Sequence, residues 1–401
     1  MNLVLADDIR RSQLLPFTFT RPVADIRIGI LTIRQKWEML TGIPAGTSGS
    51  LTQFYLSGRF QLSPDKDCLI INGALIPDES IFRLIMGLKQ GQQIVNNDRL
   101  LAARVDRSLL EGKETVSPFH GVESILYTGS PIMINNLWDI FTLNDKCLRD
   151  DFILVTKGRR SEVISSSNQT RKPDQIFIEP GAVVECSMLN ATTGPIYIGK
   201  EAEVMEGSMI RGPFSLGDQS VLKMGAKIYG ATTIGPGSKV GGEVSNSVFF
   251  GNSNKAHDGF LGNSVIGEWC NLGADSNNSN LKNNYSEIKI WNYPAKDLVG
   301  TGLQFCGLFL GDHSKSGINT MFNTGTVVGV SANIFGAGFP EKYVPSFTWG
   351  GADTNELFIM DKALELAEKV MGRRKIQFTE ADKNILSHLY LMQLQPPHIE
   401  D

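Results

Sequence analysis

The run Ile198-Gly-Lys-Glu-Ala-Glu-Val204-Met-Glu-Gly-Ser-Met-Ile210-Arg-Gly-Pro-Phe-Ser-Leu216 places a branched aliphatic residue at every sixth position. The count continues through Leu222, Ile228, Ile234 and Val240. An amphipathic helix repeats its apolar residues at three and four, and a half-buried strand at two, so a period of six fits neither. It fits a triangular solenoid in which each short strand gives one aliphatic side chain to a central stack and three hexapeptides close a coil. Glycines just after the anchors, as in Ile198-Gly199 and Val240-Gly241-Gly242, suit turns that need positive φ. The predicted fold over residues 176–350 is a left-handed parallel β-helix.

Outward from that run the register continues in pieces. Val248, Phe260, Ile266 and Leu272 share a phase, with Asn254 its polar member; Leu310, Phe322, Val328 and Ile334 form another. Between them, residues 277–308 read as a loop extruded from the solenoid, opening on the turn-forming Asn277-Asn278-Ser279-Asn280. Beyond Gly351 the period changes. Glu356 to Gly372 reads as an amphipathic helix, and Thr379-Glu-Ala-Asp382 as a capping box for a second helix reaching Met392. This C-terminal helical extension, 351–401, suits the need to cover a terminal coil or an adjoining subunit.

Residues 1–165 lack the six-residue period. Short apolar runs at Met1 to Leu5, Cys68 to Asn72, Gln93 to Val95, Leu100 to Val105 and Asp151 to Val155 alternate with helix-like segments at Leu31 to Leu40 and Glu79 to Lys89. That is the pattern of an α/β domain. The polar stretch 158–173 marks its boundary. A length of 401 residues suits two or three cores. The net charge of −4, with no long basic run, argues against a nucleic-acid polymer as partner. No apolar run approaches a membrane span, and the N-terminus lacks a basic region followed by an apolar one, which predicts a cytoplasmic protein with no membrane partner. The five cysteines are scattered and never spaced C-x-x-C, so they read as reduced thiols rather than as disulfides or a zinc site.

His257 lies in a Gly- and Asn-rich coil with no metal-ligand partner at helical spacing. From the residues alone, a hydrogen-bonded surface histidine is the plainer reading, although a neutral imidazole suits removal of a proton from an attacking amine. The context sharpens the choice. Ser253-Asn-Lys-Ala-His-Asp-Gly-Phe-Leu-Gly-Asn-Ser-Val-Ile-Gly-Glu-Trp-Cys-Asn-Leu-Gly-Ala274 resembles the catalytic stretch of bifunctional bacterial enzymes that acetylate glucosamine 1-phosphate and then uridylylate it. Leu14-Leu-Pro-Phe-Thr-Phe-Thr-Arg-Pro22 is similar to the opening of sugar-1-phosphate nucleotidyltransferases, with their Rossmann-like domain. Together they resemble the divergent, Bacteroidetes-type form of that bifunctional family.

The resemblance implies His257 as general base, and Asn271, Asn280 and Phe260 around the acceptor, Phe260 standing where the family has a tyrosine. It implies Ala274, Asn319 and Ala337 near the acetyl-CoA groove, and a homotrimer with acyl-CoA between adjacent solenoids. Tyr229 and Asn246 stand where the family has an arginine and a lysine gripping the sugar phosphate, so Arg211, Lys223, Lys227 and Lys255 become candidates to replace that grip. Asn271 and Asn280 read equally well as asparagine turns or ladders. His313 is a second, weaker catalytic candidate.

The N-terminal domain departs further from its family. Where the nucleotidyltransferases that it resembles have a glycine-rich loop, Arg-Pro-Lys and a metal-binding aspartate, this chain has Leu5-Ala-Asp-Asp-Ile-Arg-Arg-Ser12, Arg21-Pro22-Val23 and, about there, Ala74. The nucleotide-site candidates are Asp7, Asp8, Arg21, Lys36, Asn72 and Gly73, with Asp78, Arg10, Arg11 and Arg27 in reserve. Mg²⁺ is the cation such chemistry would use, through ligands the sequence does not specify. These charges read equally well as a solvated surface. The expected function is N-acetylation of an amino-sugar 1-phosphate from acetyl-CoA, coupled to nucleotidyl transfer toward a UDP-N-acetylglucosamine-type nucleotide sugar. Three alternatives remain: an acyltransferase with a degenerate N-terminal domain, a nucleotidyltransferase with the solenoid as scaffold, and a non-enzymatic binding solenoid.

Overall fold

The computed structural model describes residues 2–62 and 65–394. The described chain divides into two compact units, one drawn from Met1–Ile26, Leu31–Leu137 and Glu380–Ile385, the other from Arg27–Ile30, Trp138–Thr379 and Leu386–Asp401. Residues 395–401 of the expected C-terminal extension lie outside the described residues.

In the first unit a six-stranded sheet runs in the order Gly49–Leu51, Asn2–Ala6, Asp67–Asn72, Arg99–Asp106, Gln92–Asn96, Glu123–Leu126. The first three strands are parallel, and Arg99–Asp106 is antiparallel to both neighbours. Within Asn2–Ala6, Leu3 to Ala6 is an unbroken apolar run, as suits a strand whose residues are all buried. The helix Ile33–Thr41 opens on a reciprocal capping box between Thr32 and Gln35, and its Trp37 is buried with Nε1 donating to the Leu75 carbonyl at 2.8 Å.

The second unit contains the left-handed parallel β-helix, of about ten coils. Its first face is a nine-stranded parallel sheet from Ile176–Ile178 to Tyr343–Val344. A second face runs from Gln169–Arg171 to Phe260–Gly262 and resumes where Asn277–Asn278 pairs with Met321–Phe322. The third runs from Val183–Val184 to Asn254–Lys255 and resumes with Lys315–Ser316, Asn333–Ile334 and Thr348–Gly350. Ile198, Val204, Ile210, Leu216, Leu222, Ile228, Ile234 and Val240 all lie in the central stack with at most 2% exposure. Each such side chain contributes about 1.5–3 kcal/mol by leaving water, so the stack itself holds the coils together.

Four expectations need correction. Val248, Asn254 and Phe260 lie one residue early: pairing aligns Ile228 with Val244 and Leu261, Ile234 with Phe249, and Val240 with Lys255. The cause is a five-residue step from Leu261 to Ile266, so that counting back by six from Ile266 lands one residue short; steps of four from Val240 to Val244 and five from Val244 to Phe249 separate this phase from the first run. Glu356 and Leu357 are not helical. Asn355–Leu357 turns back antiparallel on Thr348–Gly350, and the helix begins at Met360 and ends at Gly372. The reversed strand pairs with the edge of Thr348–Gly350 and so covers it. Asp151 to Val155 belongs to the helix Asn144–Thr156, whose buried Cys147, Leu148, Asp151 and Val155 follow helical spacing; a run of four apolar residues after Asp151 could not reveal that. Asn277–Asn278 stays within a coil, and the extruded segment holds an antiparallel hairpin, Lys289–Asn292 with Asp297–Gly300.

Candidate functional site

His257 occupies the corner between strand Asn254–Lys255 on the third face and strand Phe260–Gly262 on the second. Its side chain is exposed. The corner stacks closely on its neighbours. The Asp275 amide donates to the Asp258 carbonyl at 3.1 Å, and the Asn319 amide to the Ala274 carbonyl at 2.9 Å. Gly242, at φ +73°, lies under this corner, where a Cβ would come within 2.9 Å of the His257 carbonyl oxygen.

A pocket of about 650 Å³ opens beside the corner, lined by His257, Asn271 and Ala274 among the expected residues. Its floor is one in-register row of outward residues on the third face: Lys239 pairs with Asn254, Asn254 with Asn271, and Asn271 with Lys315. Successive members of such a row are about 4.8 Å apart. Arg373 and Arg374, just beyond the helix Met360–Gly372, also line the pocket, and Arg374 Nη2 donates to Asn254 Oδ1 at 2.9 Å. Asn319 and Ala337 are exposed on later coils.

Lys227, Tyr229, Phe260 and Asn280 lie on or beside the second face. Lys227 and Tyr229 line a groove of about 620 Å³ with Arg211 and Glu243. The Tyr229 hydroxyl donates to Glu243 Oε1 at 2.6 Å, which, with burial, pushes its pKa up to about 12. A Cβ on Gly262 would meet both the Phe260 ring and Asn280 Nδ2 at 2.6 Å, so that glycine lets the two side chains converge. Asn280 Nδ2 donates to Asn263 Oδ1 at 2.8 Å. The expected set is thus split between two faces that meet at the His257 corner.

Lys255 is the main correction among the site residues. It is 1% exposed, at the stack position beside Val240, and its Nζ donates to the carbonyls of Gly241 at 3.1 Å and His257 at 2.9 Å. An acceptor in a groove does not reach it. Burial lowers its pKa to about 8 against the pull of Asp258 and Asp275. His313 is buried and stacks on Trp269 at 6.2 Å, as a packed residue does.

In the first unit, Asp7 and Asp8 follow strand Asn2–Ala6, and Gly73 follows strand Asp67–Asn72. The chain leaves Asn2–Ala6 toward Gly49–Leu51 on one side and Asp67–Asn72 on the other, and ligands of open α/β sheets bind at such a switch point. Asp7 accepts from the Val23 amide at 2.8 Å and Thr52 Oγ1 at 2.6 Å, and pairs with Arg11 at 3.3 Å. Burial nevertheless raises its pKa to about 6. Asp8 accepts from Asn72 Nδ2 at 2.9 Å and Arg99 Nε at 2.6 Å. Arg21 and Lys36 are buried. Asp78 caps the helix Glu79–Met86. Because Asp7 and Asp8 are each held by an arginine of this chain and Ala74 offers no ligand, these residues do not fit a Mg²⁺ site. Among the described residues, no three His, Cys, Asp or Glu side chains are grouped to hold a metal.

Residues 3–160 match the family model described as sugar nucleotidyl transferase. A bifunctional sugar-1-phosphate nucleotidylyltransferase/acetyltransferase of Sulfurisphaera tokodaii is 26% identical over 237 residues, covering 59% of this chain and 52% of the relative. The bifunctional protein GlmU of Methanocaldococcus jannaschii is 32% identical over 87 residues, 22% of this chain and 21% of its own length. This chain is similar to those bifunctional proteins over the stretches matched. It spans about half the length of the first and about a fifth of the second.

The pocket also brings in Lys239, Asn254, Lys315, Arg373 and Arg374, none of which the sequence assigned to the site. A signal for the first two existed, since Lys239, Asn254 and Asn271 recur at 15 and 17 residues, close to one coil. The long insertion before Lys315 hid its place in the row. Nothing in the sequence linked the arginines to it. Among the described residues, no helix is long and apolar enough to cross a membrane.

Proposed function

We propose that this protein is an amino-sugar-1-phosphate N-acetyltransferase that uses acetyl-CoA, acting in the cytoplasm as a homotrimer, with a nucleotidyltransferase domain that handles the acetylated product. The observation that carries the reading is the exposed His257 at the mouth of a pocket shared with Asn271 and Ala274, within the stretch that resembles the acetyltransferase family. The amine of the acceptor attacks the thioester carbonyl. The C–N bond forms as His257 takes the amine proton, the C–S bond breaks, and the CoA thiolate leaves to be protonated. Such general-base help supplies about a hundred- to ten-thousandfold in rate. Asn271 can orient the amide being made, and Phe260 and Asn280 the sugar. The product would feed a nucleotide sugar of the UDP-N-acetylglucosamine type, used in envelope polysaccharide.

A second reading, an acyltransferase with an inactive first domain, is favoured by the engagement of Asp7 with Arg11 and of Asp8 with Arg99. One coupled assay separates them: CoA release from acetyl-CoA with glucosamine 1-phosphate, then pyrophosphate release on adding UTP or dTTP. His257→Ala should lose CoA release by at least a hundredfold while keeping its circular dichroism. Wild-type acetylation in that variant would remove His257 from the mechanism, and absent pyrophosphate in both proteins would leave the second reading.

A further inference from the structure

The pocket beside His257 contains four cationic side chains, Lys239, Lys315, Arg373 and Arg374, and no Asp or Glu among its lining residues. Cations beside a helix C-terminus are ordinary, because they offset the partial negative charge there. That accounts for Arg373 and Arg374 at the end of the helix Met360–Gly372 but not for Lys239 and Lys315, which come from the solenoid row. Lys315 is the less available of the two solenoid lysines, since its Nζ donates to the His313 carbonyl at 2.6 Å. Lys239 and Arg373 are exposed. Arg374 is fixed across the pocket by its bond to Asn254, and burial together with the like charge of Arg373 lowers its pKa. Like charges held together in a concavity favour a polyvalent anion, and arginine forks match phosphate oxygens in pairs. Meanwhile Tyr229 and Asn246 supply no charge where the resemblance leads one to expect a phosphate grip.

We propose that Lys239, Arg373 and Arg374 form a phosphate-binding subsite of the acyltransfer site, holding the phosphate of one of its substrates against the wall that leads to His257. The inference rests on the acyltransfer reading, and the shared chemistry is a phosphate monoester or diphosphate, carried either by the amino sugar or by CoA. Lys239→Gln/Arg373→Gln removes two charges at exposed positions and leaves the Arg374 bond to Asn254 in place.

In steady-state acetylation by the full chain, the double variant should raise KM about tenfold or more with kcat little changed. A rise confined to glucosamine 1-phosphate, and absent with unphosphorylated glucosamine, assigns the subsite to the sugar phosphate. A rise confined to acetyl-CoA assigns it to CoA. Unchanged KM for both substrates overturns the subsite. If the wild type acetylates neither acceptor, the acyltransfer reading has failed, and calorimetric titration with CoA and with glucosamine 1-phosphate decides the subsite separately. Binding weakened about tenfold in the variant upholds it; equal or absent binding overturns it.

Discussion

Lys255 takes a place that the coils on either side give to Val240 and Leu272, and a buried amine there must carry a cost that an aliphatic side chain does not. Its two carbonyl partners offset part of that cost and tie the His257 corner to the coil of Gly241. Burial sets its folded pKa near 8, below the ordinary 10.5, so the unfolded chain binds more protons between those values. Stability from this group therefore rises as pH climbs from 8 to 10.5, and the penalty, up to about 3 kcal/mol, is fully present below 8. Lys255→Met should unfold at higher denaturant than the wild type at pH 7, by about 1–3 kcal/mol, with the gap narrowing toward pH 10.5. Urea titrations of both proteins at several pH values check this; a gap independent of pH would mean that the ammonium is not the source. From sequence, Lys255 looked like a groove residue because the six-residue count was one position out of phase there. The five-residue step from Leu261 to Ile266 displaced that count and hid the inward position of the lysine.

The extruded hairpin shows what an element needs once it leaves the stack. Lys289–Asn292 and Asp297–Gly300 form only two strands, too few to persist alone in water. The hairpin is anchored at its base by buried Ile288 and Ile290, and Trp291 stacks on Tyr343 of the last strand of the first face at 4.3 Å between ring centroids. Tyr293 meets the same ring edge-on at 5.5 Å. Trp291→Ala should remove about 1–3 kcal/mol of local stability, in line with the loss of area and of an aromatic pair. Hydrogen exchange of amides 289–300 should accelerate while amides of the Ile198–Val240 stack stay protected. Equal acceleration in both regions would show that the hairpin supports the solenoid instead of resting on it. The insertion itself was legible as an interruption of the six-residue period. Its hairpin was not, because Lys289–Asn292 alternates too briefly to stand out, and the ring it packs against lies some fifty residues away.

At the scale of the molecule, the inward-facing half of each hexapeptide was readable because one repeated requirement, an aliphatic residue in the stack, fixes it. The outward half carries the chemistry and obeys no such rule, which is why Asn271 and Ala274 were reached through resemblance while Lys239 and Arg373 were not. The outward side of the second face also bears on assembly. Met188 and Met209 are paired in register there, 48% and 41% exposed, and they line the same groove as the 39%-exposed Tyr229. Flexible apolar side chains in line on a rigid sheet are poorly placed for water and well placed for a partner surface. If the protein is a homotrimer that packs this face, light scattering on the purified chain should give about three times 44.0 kDa. Met188→Glu/Met209→Glu should reduce that to one chain, since a charge left unpaired in an interface costs several kcal/mol. The coils should persist in the variant, because neither methionine contributes to the inner stack, and unchanged circular dichroism would confirm it. A wild-type mass of one chain would count against the trimer. A trimeric variant would move the interface to another face, and with it any acyl-CoA groove formed between neighbouring solenoids.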